Sequence, residues 1–354
     1  MNKPIGVLVV DDSALVRRIM TAALTSDPEI GWVETASDPL IARDKIKKLN
    51  PDVLTLDIEM PRMNGLDFLD RIMTLRPMPV IMLSALTQHG AEAAFRALDR
   101  GAVDFIAKPV EDLADSFPGL REEILAKVKT AARIKVVRRE PRPDRRRLDP
   151  IPRSIMPTDR IIAIGASTGG VEALGTLLGA LPPDMPPIVV TQHMPAQFTR
   201  KFAERLDGFC AVRVLEAEDG ARLLAGHAYI APGGRHLEIK RSGSDYRCRI
   251  SEGETVSGHC PSVDVLFASV ARVAGAAATG VILTGMGRDG ASGLLAMRRA
   301  GARTIGQDPE TSLVYGMPRV AFEVGAVERQ ARLDAIPEIL VETCGTCAEA
   351  GARL

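Results

Sequence analysis

Short, unbroken apolar runs recur along this chain, and each is followed by a segment with helical spacing. A strand apolar at every position needs both of its faces covered, as the strands of a parallel sheet are. GVLVV (residues 6–10) leads into SALVRRIMTAAL from Ser13, where Leu15, Ile19 and Ala22–Ala23 are spaced for one helical face and Ser13 stands at the N-cap position. The cycle repeats as VETAS then DPLIARDKIKKL, DVLTLDI then GLDFLDRIMTL, PVIMLSA then AEAAFRALDRG, and VDFIA then LREEILAKVKTAARI. Five such strand–helix units predict an open parallel sheet with helices on both faces.

The pattern breaks at residues 133–153, RIKVVRREPRPDRRRLDPIPR, which carry nine Lys or Arg, three Asp or Glu and four Pro. Proline blocks helix continuation and like charges repel, so residues 131–158 are expected to form an extended, solvated linker; a basic arm for nucleic acid or a partner is the alternative. Alternation resumes at Asp159 with RIIAIGAS, GGVEALGTLLGAL, PIVVTQH and TRKFAERL. Between residues 211 and 252, short strands separated by Gly turns predict antiparallel hairpins. SVDVLFASVARVA (helix), GVILTGM (strand), SGLLAMRRAG (helix) and RTIGQD (strand) then complete a second α/β region. A length of 354 residues suits this division into 1–130, a linker over 131–158, and 159–354.

Composition narrows the function. Lys plus Arg equals Asp plus Glu at 45 each, which argues against a chain that coats nucleic acid or an anionic membrane. Aromatics at 4% are too sparse for a base-stacking surface. Five cysteines, an odd number, fit a reducing compartment rather than a disulfide scaffold. No apolar run reaches about 18 residues, and MNKPIGVLVVDD meets Asp11 and Asp12 too soon for a signal-peptide core. The expectation is a cytoplasmic protein without membrane insertion.

In the first region, Asp11 and Asp12 follow the first strand and Asp57 follows DVLTL. Open α/β sheets bind ligands at the carboxyl ends of their strands. Clustered carboxylates there repel one another, and a hard dication with oxygen ligands relieves them, Mg2+ best. Ser84 ends the fourth strand and Lys108 the fifth, so a hydroxyl, an ammonium and a metal would surround a phosphoryl group on Asp57.

In the second region, Gly165-Ala166-Ser167-Thr168-Gly169 is a G-x-S-x-G pattern between strand and helix, a tight turn that exposes a serine hydroxyl. A serine nucleophile needs a base. Of His89, His193, His227, His236 and His259, sheet-edge placement favours His193, at the end of PIVVTQH, with His236 next. Asp289 follows GVILTGM and would orient the imidazole, with the Met286 and Gly287 amides lining an oxyanion site. The same segment supports a rival. Gly285-Met286-Gly287-Arg288-Asp289-Gly290 reads as GxGxxG, with Asp308 about 20 residues on, the fingerprint of a dinucleotide-binding oxidoreductase. Asp289 beside a pyrophosphate speaks against it, and the residues alone leave both readings open.

The segments VDDSALVRR, LDIEMPRMNGLDFL, MLSAL and DFIAKP resemble the response-regulator receiver domain, a flavodoxin-like fold. That resemblance implies that Asp57 accepts phosphoryl from a histidine kinase, that Asp11, Asp12 and Asp57 bind Mg2+, and that Ser84 and Phe105 are the switch hydroxyl and switch aromatic beside Lys108. Phe105 replaces the commoner tyrosine. IGASTGGVEAL, TQHMPAQFT, YIAPGGRHLEI, CPSVDVLF, TGMGRDGASGLL and IGQDPETSLVYGMP resemble the catalytic domain of the chemotaxis protein-glutamate methylesterase family, doubly wound and mostly parallel. This second resemblance implies Ser167 as nucleophile, His193 as base, Asp289 as acid and an oxyanion contribution from Met286. It also implies hydrolysis of glutamate γ-methyl esters and deamidation of selected glutamines on methyl-accepting chemoreceptors, with no cofactor in this half. Cys260 stands where the family usually carries arginine before PSVD. The C-x-x-C of Cys344 and Cys347 lacks the ligands of a zinc site and the βαβ context of a redox pair.

Overall fold

The computed structural model describes residues 3–61, 63–108, 117–134, 136 and 159–345. Most of the expected linker, together with Pro109 and Cys347, lies outside the described residues. The chain divides into two compact units, Met1–Arg142 and Pro143–Leu354.

The first unit runs β1 (Ile5–Val10), α1 (Ala14–Thr25), β2 (Ile30–Ala36), α2 (Pro39–Leu49), β3 (Val53–Asp57), α3 (Gly65–Leu75), β4 (Val80–Ser84), α4 (Gln88–Asp99), β5 (Asp104–Ala107) and α5 (Phe117–Ala131). All pairings are parallel in the order β2-β1-β3-β4-β5. The central strands β1, β3 and β4 are buried at every position, as their continuous apolar runs require. Ser13 caps α1 by accepting from the Val16 amide at 3.4 Å. Leu15 departs from expectation and is 43% exposed. The inward stripe of α1 is Val16, Ile19–Met20 and Ala23–Leu24, so the i, i+3, i+4 spacing begins one residue later and turns Leu15 outward.

The second unit contains β6 (Ile161–Ala166), α6 (Gly170–Ala180), β7 (Ile188–Gln192), α7 (Ala196–Asp207), β8 (Arg213–Glu216), β9 (His227–Ile230), β10 (His236–Ser242), β11 (Asp245–Ser251), α8 (Val263–Ala274), β12 (Ala278–Ile282), α9 (Ala291–Arg299), β13 (Arg303–Gln307), α10 (Met317–Glu323), β14 (Arg329–Ala331) and α11 (Ile336–Gly345). Seven strands form one parallel sheet in the order β14-β13-β12-β6-β7-β9-β8. The hairpin expectation holds for β10 and β11, which pair antiparallel, but not for β8 and β9, which pair parallel with each other at the sheet edge. The stretch joining β8 to β9 is no tight turn. Its backbone groups bond to β11, with Gly220 donating to Cys248, Cys248 to Ala221 and Leu223 to Tyr246, and so it carries the chain back for a second parallel strand. In the core between sheet and helices, Val263, Leu266 and Phe267 of α8 meet Leu294 and Met297 of α9.

Each sheet has a point in its middle where strand order reverses: between β1 and β3 in the first unit and between β6 and β12 in the second. The loops leaving the carboxyl ends of strands at such a reversal diverge and open a crevice.

Candidate functional sites

At the first reversal, Asp11 and Asp12 leave β1 and Asp57 ends β3. Among the described residues, these three form the one group of three or more His, Cys, Asp or Glu side chains placed to share a metal ion, with one ligand atom of each within 4.8 Å of the others. Asp11 and Asp57 are buried, whereas Asp12 is exposed. The Lys108 ammonium bridges the buried pair, 2.8 Å from Asp57 Oδ2 and 3.2 Å from Asp11 Oδ2. The Glu59 amide donates to Asp57 Oδ1 and the Ser13 amide to Asp11 Oδ1. Burial pushes the Asp57 carboxyl up to about 6; the Asp11 charge adds to the rise, and Lys108 opposes it. Burial raises Asp11 as well, against the pull of Lys108. Two carboxylates kept from water beside a third, all oxygen donors, are a donor set that fits a hard dication such as Mg2+.

The Ser84 hydroxyl is engaged by backbone carbonyls rather than by Asp57. It donates 2.8 Å to the Gly90 carbonyl at the start of α4. Phe105 is buried edge-on against Phe95, with centroids 6.1 Å apart and planes at 88°. Lys127 of α5, a residue the sequence did not single out, donates to the Phe105 carbonyl at 2.6 Å and lies 5.3 Å from the ring centroid.

The second reversal brings Ser167, His193 and Asp289 together. Ser167 follows β6, and its amide donates to Thr284 beyond β12 at 3.0 Å. The turn after it relies on Gly169 at φ +78°, a backbone region costly for any residue with a Cβ. Gly285 serves a different need. A Cβ there would stand 2.8 Å from Ser167 Cβ and 2.2 Å from Met317 Sδ, so only glycine lets the β12–α9 loop lie against the serine. Met286 comes next on that loop and is half-buried.

His193 follows β7, and its side chain is 9% exposed. Its Nδ1 lies 3.1 Å from Ser167 Oγ and its Nε2 2.8 Å from Asp289 Oδ2. With Nε2 protonated and donating to the carboxylate, Nδ1 is left as an acceptor facing the hydroxyl. Gln192 ties the two loops together: its Nε2 donates to the carbonyls of Ser167 at 3.0 Å and His193 at 3.1 Å.

Asp289 is buried and saturated. Oδ1 accepts from Ser262 Oγ at 2.8 Å, Asp264 N at 3.0 Å and Gly290 N at 2.9 Å. Oδ2 accepts from Val263 N at 2.7 Å in addition to His193. Burial pulls this carboxyl upward, but the hydrogen bond and charge of His193 and the Asp264 and Val263 amides outweigh it and hold Asp289 below the usual carboxylate range. The acid therefore sits on the N-terminus of α8, where partial positive charge favours an anion. Ser262, the N-cap residue of α8, gives its hydroxyl to Asp289 rather than to its own helix. Sequence reasoning missed Ser262 and Gln192. A serine ahead of the helical run VDVLF signalled a helix start, and nothing in its neighbourhood pointed to an acid 27 residues later.

His236, the other candidate base, has both ring nitrogens engaged by groups other than Ser167. It accepts from the Ser262 amide at 3.2 Å and pairs with the Glu254 carbonyl at 3.0 Å. The dinucleotide reading also fails on geometry. The α9 N-terminal amide of Gly290, which a pyrophosphate would use, is taken by Asp289, and Asp308 is engaged by the amide and hydroxyl of Thr311. Cys260 is half-buried, and burial raises its thiol. Cys344 is buried in α11.

Fold and site together define a two-unit α/β protein: a response-regulator type unit with an acidic cluster, followed by a hydrolase whose serine, imidazole and carboxylate meet at a sheet switch point. The family model for the CheB methylesterase matches residues 162–340, and that for the response regulator receiver domain matches residues 7–115. The protein-glutamate methylesterase/protein-glutamine glutaminase 1 of Xanthomonas campestris pv. campestris is 52% identical over 349 residues, covering 96% of this chain and 98% of that one. The Salmonella typhimurium protein-glutamate methylesterase/protein-glutamine glutaminase is 52% identical over 334 residues, 94% of this chain and 95% of that one. Among solved structures, the catalytic domain of the Thermotoga maritima CheB methylesterase superposes with a TM-score of 0.51 at 38% identity, covering 52% of this chain and 98% of that chain. The chain belongs to the protein-glutamate methylesterase/protein-glutamine glutaminase family.

Proposed function

We propose that this protein is a phosphorylation-regulated chemotaxis methylesterase and deamidase. In this reading residues 1–130 are the receiver, 131–158 the linker and 159–354 the catalytic domain. The observation that carries it is the unbroken line from Ser167 Oγ through the His193 ring to Asp289, in a chain of this family.

Ser167 Oγ attacks the γ-carbonyl carbon of a methylated glutamate while His193 Nδ1 takes the hydroxyl proton. Asp289 keeps the ring in the tautomer with Nε2 protonated and stabilises the imidazolium as it forms. The Met286 amide, on the loop beside Ser167, faces the developing oxyanion. Collapse of the tetrahedral species breaks the carbon–oxygen bond to the methoxy group, and His193 returns the proton so that methanol leaves. Water, deprotonated by His193, then cleaves the acyl-serine, releasing the glutamate carboxylate and restoring Ser167. A glutamine side chain takes the same route, with ammonia as the leaving group. The receiver governs this reaction through phosphoryl transfer from a histidine kinase to Asp57. Asp11, Asp12 and Asp57 would hold Mg2+, which supplies charge neutralisation during that transfer. Lys108 balances the negative charge added to Asp57, and Ser84 and Phe105 respond to it. The substrates are methyl-accepting chemoreceptors, and the enzyme works in the cytoplasm. Among the described residues no helix is long and apolar enough to cross a membrane.

The decisive experiment measures methanol release from methylated receptor membranes, with and without a small phosphodonor. Wild type should release methanol faster with the donor, Asp57→Asn should not respond to it, and Ser167→Ala should release none. Undiminished release by Ser167→Ala removes the reading.

A further inference from the structure

His259 takes no part in the proton transfers of ester hydrolysis, yet it lies against the histidine that does. Its imidazole stacks on that of His193, with centroids 3.6 Å apart and planes at 15°. The backbone is built to put it there. Val256 and His259 exchange both amide–carbonyl hydrogen bonds at 3.0 Å across Ser257 and Gly258. Those two residues have φ of 54° and 81°, the left-handed pair of a tight hairpin turn. That conformation is costly for a serine, and Ser257 Oγ is held by Asp264 Oδ2 at 3.1 Å. A few residues on, Ser262 and the Val263 and Asp264 amides grip Asp289. The segment 256–264 therefore covers the face of the imidazole and fixes the carboxylate at its edge.

The two edge contacts of His193, to Ser167 and to Asp289, resist sliding within the ring plane and do little against tilting out of it. A second aromatic ring laid flat on one face opposes that tilt. When His193 accepts the serine proton it becomes a cation, and a π face in contact stabilises it. We propose that His259 is a positioning residue for ester hydrolysis, holding the plane of His193 and supporting its imidazolium form through the stacked ring. The inference rests on the reading of Ser167, His193 and Asp289 as the reacting groups.

The test uses the full chain and methanol release from methylated receptor membranes, comparing wild type, Ser167→Ala, His259→Ala, His259→Phe and His259→Leu, each with its thermal melting curve. Loss of a stacked ring should lower kcat about three- to tenfold in His259→Ala, with KM unmoved. His259→Phe should recover most of the rate, and His259→Leu, of similar bulk but without a π face, should not. If His259→Ala fails to fold, the Phe and Leu variants decide between them. Wild-type kcat in His259→Ala, a loss confined to KM, or equal rates for Phe and Leu overturns the inference while leaving the triad reading intact. Undiminished turnover in Ser167→Ala overturns that reading, and the inference with it.

Discussion

Nε2 of His193 stands 2.8 Å from Oδ2 of Asp289, a carboxylate that four other donors also hold: one hydroxyl and three backbone amides. An amide in its place must turn an NH2 group toward one of those donors. Asp289→Asn is expected to lower kcat about 10³–10⁴-fold through loss of the productive tautomer and to cost about 2–4 kcal/mol of stability from the mismatched donors. Steady-state kinetics and denaturant unfolding check both. Ser262→Ala removes a single donor and should do far less.

The pH dependence of folding is tied to the same carboxylate. Asp289 is held below its ordinary value of 3.8, so the unfolded chain binds the proton more readily than the folded one. Its contribution is present above pH 4 and is lost as the pH falls further. Acid unfolding of wild type should be steeper below pH 4 than that of Asp289→Asn. Parallel curves would show that the carboxylate has the same affinity for protons in both states.

The close approach of Gly285 to Ser167 predicts a mutation with two readouts. In Gly285→Ala the flexible Met317 thioether can yield, but Ser167 Cβ, 2.8 Å from the new methyl, cannot move without losing His193. The variant should fold with a loss of about 1–3 kcal/mol and turn over at least tenfold more slowly. Unchanged kcat would show that the loop relaxes away from the serine.

The receiver carboxylates predict a metal effect. Asp57 is raised to about 6, so the folded state holds its proton more tightly, and stability falls as the pH rises from about 4 to 6 and Asp57 ionises. The full shift corresponds to about 3 kcal/mol before solvent screening reduces it. Added Mg2+ at pH 7 should therefore raise the melting temperature of the first unit. Asp57→Asn should raise it without metal and blunt the response to Mg2+. Differential scanning calorimetry with Mg2+ and with chelator distinguishes the two.

Much of this molecule could be read directly from residue order. The unbroken apolar runs GVLVV and IIAIG required strands covered on both faces, and the helices between them left a parallel sheet as the outcome, because the alternation is a local property set by burial. Ser167, His193 and Asp289 were legible for the same reason. Ser167 and His193 come directly after strands and Asp289 lies on the loop that leaves β12, and parallel strands deliver their trailing loops to one common edge. The linkage of β8 to β9 was not legible, because Gly-punctuated short strands look alike whether the chain turns back at once or first pairs elsewhere. Leu15 was misplaced because helical spacing defines a stripe only to within about one residue.

Tertiary structure alone decided which side chains touch across long separations. Ser262 reads as a helix cap until α8 is set against the loop after β12, when its hydroxyl belongs to Asp289. Gly285 reads as part of a phosphate loop until Ser167 fills the space its missing side chain leaves. Local sequence dictates backbone periodicity, whereas the partner of a polar side chain depends on strand order, which distant segments settle together.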